Sequence, residues 1–263
     1  MVSLEYKRSI EGEGTSELAW QGWLASDVIS TRAMHDWMPR GERLVVIAPH
    51  PDDEVLACGG LVAIACERGG EVLVIAVTDG EASHPGSSLW NPKTLAAVRR
   101  SESVTGLVQL GVTSAAVKRL ALPDGAVGQH IEYLAKQLQT LLRPSDWVLT
   151  TWRFDGHPDH EATALAASLA CCALGCHLIE APVWMWHWAI PRDRCVPWNH
   201  LYRLPLPRAA FERKQAALAA HVSQLDSHMR TDGAVLGQMI LARAQRDCEY
   251  FFFPAELAHA THR

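Results

Sequence analysis

The sequence predicts an α/β protein built around a mainly parallel sheet, and two observations carry that prediction. From Leu44 onward, apolar runs of strand length alternate with helical patterns, the mark of successive βαβ units. The composition, 48% apolar and 20% charged over 263 residues, is that of a globular chain able to bury a large core. No internal repeat or low-complexity tract interrupts the alternation.

Residues 1–41 are mixed in charge. Leu18, Trp20, Trp23, Leu24, Val28 and Ile29 follow helical spacing only in part, behind a cap at Thr15 or Ser16. This stretch is expected as an extension packed on a main domain of residues 42–263, serving as an oligomer contact or a lid. The strand LVVIA (44–48) is followed by a helical VLACGGLVAIACERG, the strand EVLVIAVTDG by a helical TLAAVRRSESVTGLVQLG, and VKRLALPDG by IEYLAKQLQTLL. The strand DWVLTTW (146–152) leads to the helix HEATALAASLACCALG, and HLIEAPVWMW reads as a further strand. Within it Trp184, Trp186 and Trp188 recur at period two, which predicts one face of an extended segment, either half a hydrophobic cleft or a sheet face under a helix. YRLPL, the helical RAAFERKQAALAAHVSQ and a final strand EYFFFP close the chain.

A formal net charge of −5 gives no basic footprint, so nucleic acid is not expected as a partner. The first fifteen residues lack the apolar centre of a signal peptide, and no run reaches the roughly 18 apolar residues of a membrane span. A cytoplasmic protein is therefore expected. The seven cysteines form no zinc-finger pair and stand mostly among apolar or alanine-rich neighbours, where a reduced cysteine is a small hydrophobe.

Chemistry concentrates in two short stretches. APHPDDE (48–54) follows the first strand, and His50, Asp52, Asp53 and Glu54 crowd the loop before the next helix. Open α/β sheets bind ligands at this carboxyl edge. A helix cap requires one acid and no histidine, so capping does not account for the set. Asp155-Gly156-His157-Pro158-Asp159-His160 also lies between a strand and a helix. Imidazoles and carboxylates brought together from two strand ends suit a zinc-like cation with a position left open for water.

PHPDDE with GHPDH about a hundred residues later resembles the LmbE/PIG-L family of zinc-dependent N-acetylglucosaminyl deacetylases. The resemblance runs from about Leu44 to Gln224 and includes TDGE (78–81), Arg99 and Glu102, LPDG (122–125), PVW (182–184) and the segment ending at His221 and Gln224. It implies a Rossmann-like three-layer sandwich. It also implies a metal, Zn2+ or another divalent ion such as Fe2+, on His50, Asp53 and His160. Asp52 falls at the family's general base and His157 at a histidine that stabilises the oxyanion, with either supplying the amine's proton. Arg99 and Asp124 match sugar-binding positions. Asp159 is expected to orient a histidine or cap a helix, and Glu54 to support the site from behind; His221 and Gln224 carry no assigned role. In some members a tyrosine precedes the GHPDH histidine by two residues, where this chain has Asp155. The implied substrate is a small amino-sugar conjugate, and a homo-oligomer is compatible. Two other readings stay open: a hydratase using the same metal, and a noncatalytic carbohydrate-binding protein.

Overall fold

The computed structural model describes residues 8–26, 28–226 and 234–254; the first seven residues of the N-terminal extension lie outside them. The strands are β1 (Ser30–Thr31), β2 (Leu44–Ala48), β3 (Val72–Thr78), β4 (Val117–Leu122), β5 (Trp147–Thr151), β6 (His177–Ala181), β7 (Leu201–Pro205) and β8 (Cys248–Phe252). The α-helices are α1 (Glu17–Leu24), α2 (Asp53–Leu56), α3 (Gly59–Glu67), α4 (Pro92–Leu110), α5 (Ile131–Leu141), α6 (Pro158–Leu174), α7 (Met185–Trp188), α8 (Arg208–Leu218), α9 (Val222–Leu225) and α10 (Gln238–Ala244).

All eight strands join one sheet in the order β1-β7-β8-β6-β5-β2-β3-β4. It is parallel except where β8 runs antiparallel to β6 and β7. The central strands are buried on both sides, which is why LVVIA and VLVIAVT read as unbroken apolar runs. Alternate residues of β2 serve opposite layers: Leu44 and Val46 pack with α3, α4 and α8, while Val45 and Ile47 pack with α5 and α6. The architecture is thus the three-layer α/β sandwich that the alternation and the resemblance predict.

From β2 the chain builds outward through β3 and β4, then returns to place β5 on the other side of β2. This reversal opens a crevice beyond the carboxyl ends of β2 and β5, where open sheets take their ligands. Both histidine-rich stretches begin there.

The tryptophan segment departs from expectation. Strand β6 stops at Ala181, and residues 185–188 form the short helix α7. The cause is Asp155, whose carboxylate accepts the backbone N–H groups of Val183, Trp184 and Met185 and so winds the chain into a turn. Trp186 is buried against Trp20 of α1, their centroids 5.0 Å apart, and Trp20 Nε1 donates to the Trp186 carbonyl at 2.8 Å. A third apolar cluster, including Trp20, Trp23, Trp152 and Trp186, thereby seats the described part of the N-terminal extension on the sheet's edge. Ser16 caps α1 through its hydroxyl, as the sequence suggests.

Candidate active site

The loop after β2 delivers His50, Asp52, Asp53 and Glu54, all at least nine-tenths buried. Asp52 holds φ at 142°, a conformation costly for any side chain that carries a Cβ. Its neighbours over-determine it. Glu54 accepts from the Asp52 N–H at 3.0 Å and from the Ser103 hydroxyl at 2.7 Å, while α2 begins at Asp53. Arg99, on α4, donates to Asp52 Oδ2 at 3.1 Å and to the carbonyls of Pro51 and Gly80 at 2.8 Å. Gly80, of the TDGE stretch, must lack a side chain, because a Cβ there would collide with the Arg99 guanidinium.

The loop after β5 brings His157 and His160 to the same point on the first turns of α6. Asp53 Oδ2 lies 3.2 Å from His50 Nδ1 and 3.2 Å from His160 Nε2, so one carboxylate oxygen bridges two imidazoles. His160 is oriented from behind by Asp155, whose Oδ2 is 2.8 Å from Nδ1. His50 Nε2 faces Asp124 Oδ1 at 3.2 Å and Asp159 Oδ2 at 3.3 Å. Asp159 also accepts the N–H groups of Gly125 and Val127, tying the LPDG turn to α6. His157 is the N-cap of α6, its Nδ1 accepting the Asp159 N–H at 3.2 Å. In the neutral ring the proton therefore sits on Nε2.

Burial opposes charge on His50, but Asp124, Asp159 and Asp53 outweigh it and hold its pKa well above the ordinary value. At His160 burial is likewise overcome, by Asp53 and Asp155, and its pKa is raised to about 9. Asp53 is held well below the usual carboxylate range by His160 and His50 in spite of burial. The two remaining groups move the other way. Burial lifts Asp52 to about 7, against the pull of Arg99 and with the push of Asp53. Burial, together with His160 and His50, lowers His157 to about 3, so that ring is neutral throughout the physiological range.

The residues fit a divalent cation. One nitrogen from each of His50, His157 and His160 lies within 4.8 Å of the others, and His50, Asp124 and Asp159 make a second such group. Imidazole and carboxylate donors in this proportion suit zinc or another first-row dication.

A cleft of about 250 Å³ opens onto this cluster. His50, Asp52, Asp53, His157 and His160 line its floor, Arg99 and Asp124 border it, and Leu56, Val183, Trp184, Leu236 and Ile240 form an apolar wall. All seven residues singled out in the sequence as ligands, catalytic groups or sugar contacts thus meet at one cleft. Sequence reasoning left Asp155 as an unexplained departure and left open whether Trp184, which lines the cleft, belonged to a cleft or to a covered sheet face. Its own signal for Asp155 was adjacency to GHPDH; the turn it creates at Val183–Met185 lies almost thirty residues away. Gln224 also reaches the cleft, and His221 is fully buried behind it. Glu102 accepts from the Ser223 N–H and hydroxyl at 2.7 and 2.6 Å, so the R-x-x-E stretch fastens the His221–Gln224 segment to α4.

Fold and site define an open α/β sandwich with a histidine and carboxylate centre at its switch point. Residues 45–171, a little under half of the chain, match the family model PIG-L, GlcNAc-PI de-N-acetylase. It is 28% identical over 181 residues to the 1D-myo-inositol 2-acetamido-2-deoxy-alpha-D-glucopyranoside deacetylase of Mycolicibacterium gilvum; the match covers 57% of this chain and 60% of that protein. It is 25% identical to a probable N-acetyl-alpha-D-glucosaminyl L-malate deacetylase of Bacillus cereus, covering 70% of this chain and 84% of that one. Among solved structures, the conserved protein TT1542 of Thermus thermophilus superposes with a TM-score of 0.58 at 26% identity, over 80% of this chain and 94% of its own. No helix among the described residues is long and apolar enough to cross a membrane.

Proposed function

We propose that this protein is a metal-dependent amide hydrolase that removes the N-acetyl group from an N-acetylglucosamine-type sugar of a small conjugate. One observation carries the reading: Asp52, strained and lifted to about 7, stands beside the joined His50, Asp53 and His160 in a single cleft. The deacetylase names of the relatives agree with it.

His50, Asp53 and His160 would hold the cation, with Zn2+ or Fe2+ as candidates. When bound, such an ion acidifies a water and polarises an acyl oxygen. Asp52 takes the water's proton, for which a carboxylate titrating near neutrality is suited. Arg99 keeps the Asp52 carboxylate turned toward the cleft through its contact at 3.1 Å. His157 is fixed by the Asp159 N–H with its Nε2–H free to donate to the developing oxyanion. Because His157 is neutral, the proton the leaving amine needs comes from Asp52. Asp124 and Arg99 border the sugar, so Arg99→Ala is expected to lower kcat as well as raise KM, while Asp124→Ala raises KM.

The test is mass spectrometry and acetate assay on a panel of N-acetylhexosamine conjugates incubated with metal-loaded protein. Equal amounts of acetate and primary amine are expected, lost on chelation and restored by a divalent ion. A product heavier by one water with the acetyl group intact would replace this reading with a hydratase.

A further inference from the structure

Behind the apolar wall of the cleft lies a second, smaller cavity of about 40 Å³, bordered by Leu56, Val183 and Ile240 on the cleft side. Water needs about 10–15 Å³ by such a measure, so the space takes roughly three waters or one small ion. Three cations line it: Lys214, Arg243 and Arg246. Two are matched. Lys214 Nζ is 2.7 Å from Glu249 Oε1, and Arg246 makes a two-pronged contact with Glu17 at 2.9 and 2.7 Å.

Arg243 is not matched. Its residue is 8% exposed, and its one hydrogen bond among the described residues goes from Nη2 to the Thr15 carbonyl at 3.0 Å. Nε and Nη1 are buried without a partner among the described residues. Neither nearby carboxylate is spare. Glu249 also accepts the N–H groups of Gly60 and Leu61, and both Glu17 oxygens serve Arg246. Burial, with Arg246 adjacent, lowers the Arg243 pKa to about 10, which leaves the group charged at neutral pH. A buried guanidinium with two idle donors, whose nearby counter-charge Glu17 is already forked to Arg246, is costly unless a ligand joins it.

We propose that this cavity is a binding site for one small monovalent anion, a halide or a short carboxylate, held by an unpartnered N–H of Arg243. Its size excludes a sugar, and its net positive charge excludes a cation. Filling it would brace the junction of α10 with α2, since Lys214 also donates to the Leu56 carbonyl that ends α2.

The experiment uses the full chain and does not depend on turnover. Sodium gluconate, too bulky for the cavity, is exchanged for sodium chloride or sodium acetate at constant ionic strength while the thermal midpoint is followed. A saturable rise of about 2 °C or more is expected, absent in Arg243→Gln. Should that variant fail to fold, crystals of the unaltered protein grown in bromide decide the matter: an anomalous peak within hydrogen-bonding reach of Arg243 supports the site. Displacement of that peak by acetate assigns a carboxylate as occupant, and its persistence assigns a halide. An unchanged midpoint together with no bromide peak, the cavity holding only water, would overturn the proposal.

Discussion

The two ends of strands β2 and β5 treat charge in opposite ways. At their amino ends, Arg43 and Asp146 precede the strands and meet in a fork, Nε to Oδ1 at 2.9 Å and Nη2 to Oδ2 at 2.6 Å. Arg43 Nη2 also donates to the Leu141 carbonyl, Nη1 faces Glu71 at 3.8 Å, and Asp146 accepts the Arg143 N–H. Each charge there has its own counterpart. At the carboxyl ends of the same strands, one Asp53 oxygen is shared by two imidazoles, His50 is shared by three acids, and Asp52 is bent into an unfavourable φ. A buried pair that closes on itself holds the structure together. A buried cluster that does not close is held by the structure, and is available for chemistry.

Breaking the second end should cost activity most. Asp52→Asn is expected to keep the circular dichroism spectrum while lowering kcat by about 100- to 10,000-fold. Because the folded-state pKa of Asp52 is raised to about 7, the carboxylate is the minor form below that pH. The rate of the unaltered protein should therefore fall about tenfold per pH unit on the acid side, starting at about pH 7 or below, a bound cation drawing the limb lower. His157, neutral above about pH 4, contributes no limb of its own. A near-normal rate for Asp52→Asn would move the base to another residue.

Breaking the first end should cost stability instead. Asp146→Ala strips Arg43 of its fork and leaves it buried with only the Leu141 carbonyl and the more distant Glu71, for a loss of about 3–5 kcal/mol in urea unfolding, with kcat per folded molecule unchanged. A fall in kcat at constant stability would erase the distinction between the two ends.

Metal removal sharpens the contrast with a smaller signal. Without a cation His160, raised to about 9, is protonated at about pH 7 and stabilises the fold through Asp53; that contribution is complete below about pH 6.5 and is lost as pH rises through 9. A metal ligand must be neutral, so binding should release at least one proton per cation at about pH 7 and almost none above about pH 10. Calorimetry in buffers of different ionisation enthalpy measures this; no release near neutrality would place His160 off the metal. The smallest effect is reserved for Arg43→Met combined with Asp146→Leu, expected within about 1 kcal/mol of the unaltered protein. A loss as large as that of Asp146→Ala alone would show that the pair does more than satisfy itself.

The sequence by itself determined the sandwich and the floor of the cleft. Buried parallel strands announce themselves as apolar runs such as LVVIA, and a loop of His50, Asp52 and Asp53 directly after one is local chemistry in local order. It also placed His157 and His160 at the matching edge, because β5 ends where DWVLTTW ends. Only the tertiary structure decided what depends on distant pairs. The period-two tryptophans read as a strand, yet Asp155 binds three N–H groups and turns them into α7. The resemblance gives Arg99 as a sugar contact; only the packing shows that its guanidinium also donates to Asp52, Pro51 and Gly80. The idle donors of Arg243 were invisible for the same reason. Whether a buried charge is matched depends on which carboxylates fold against it, and that is a property of the packed layers, not of spacing along the chain.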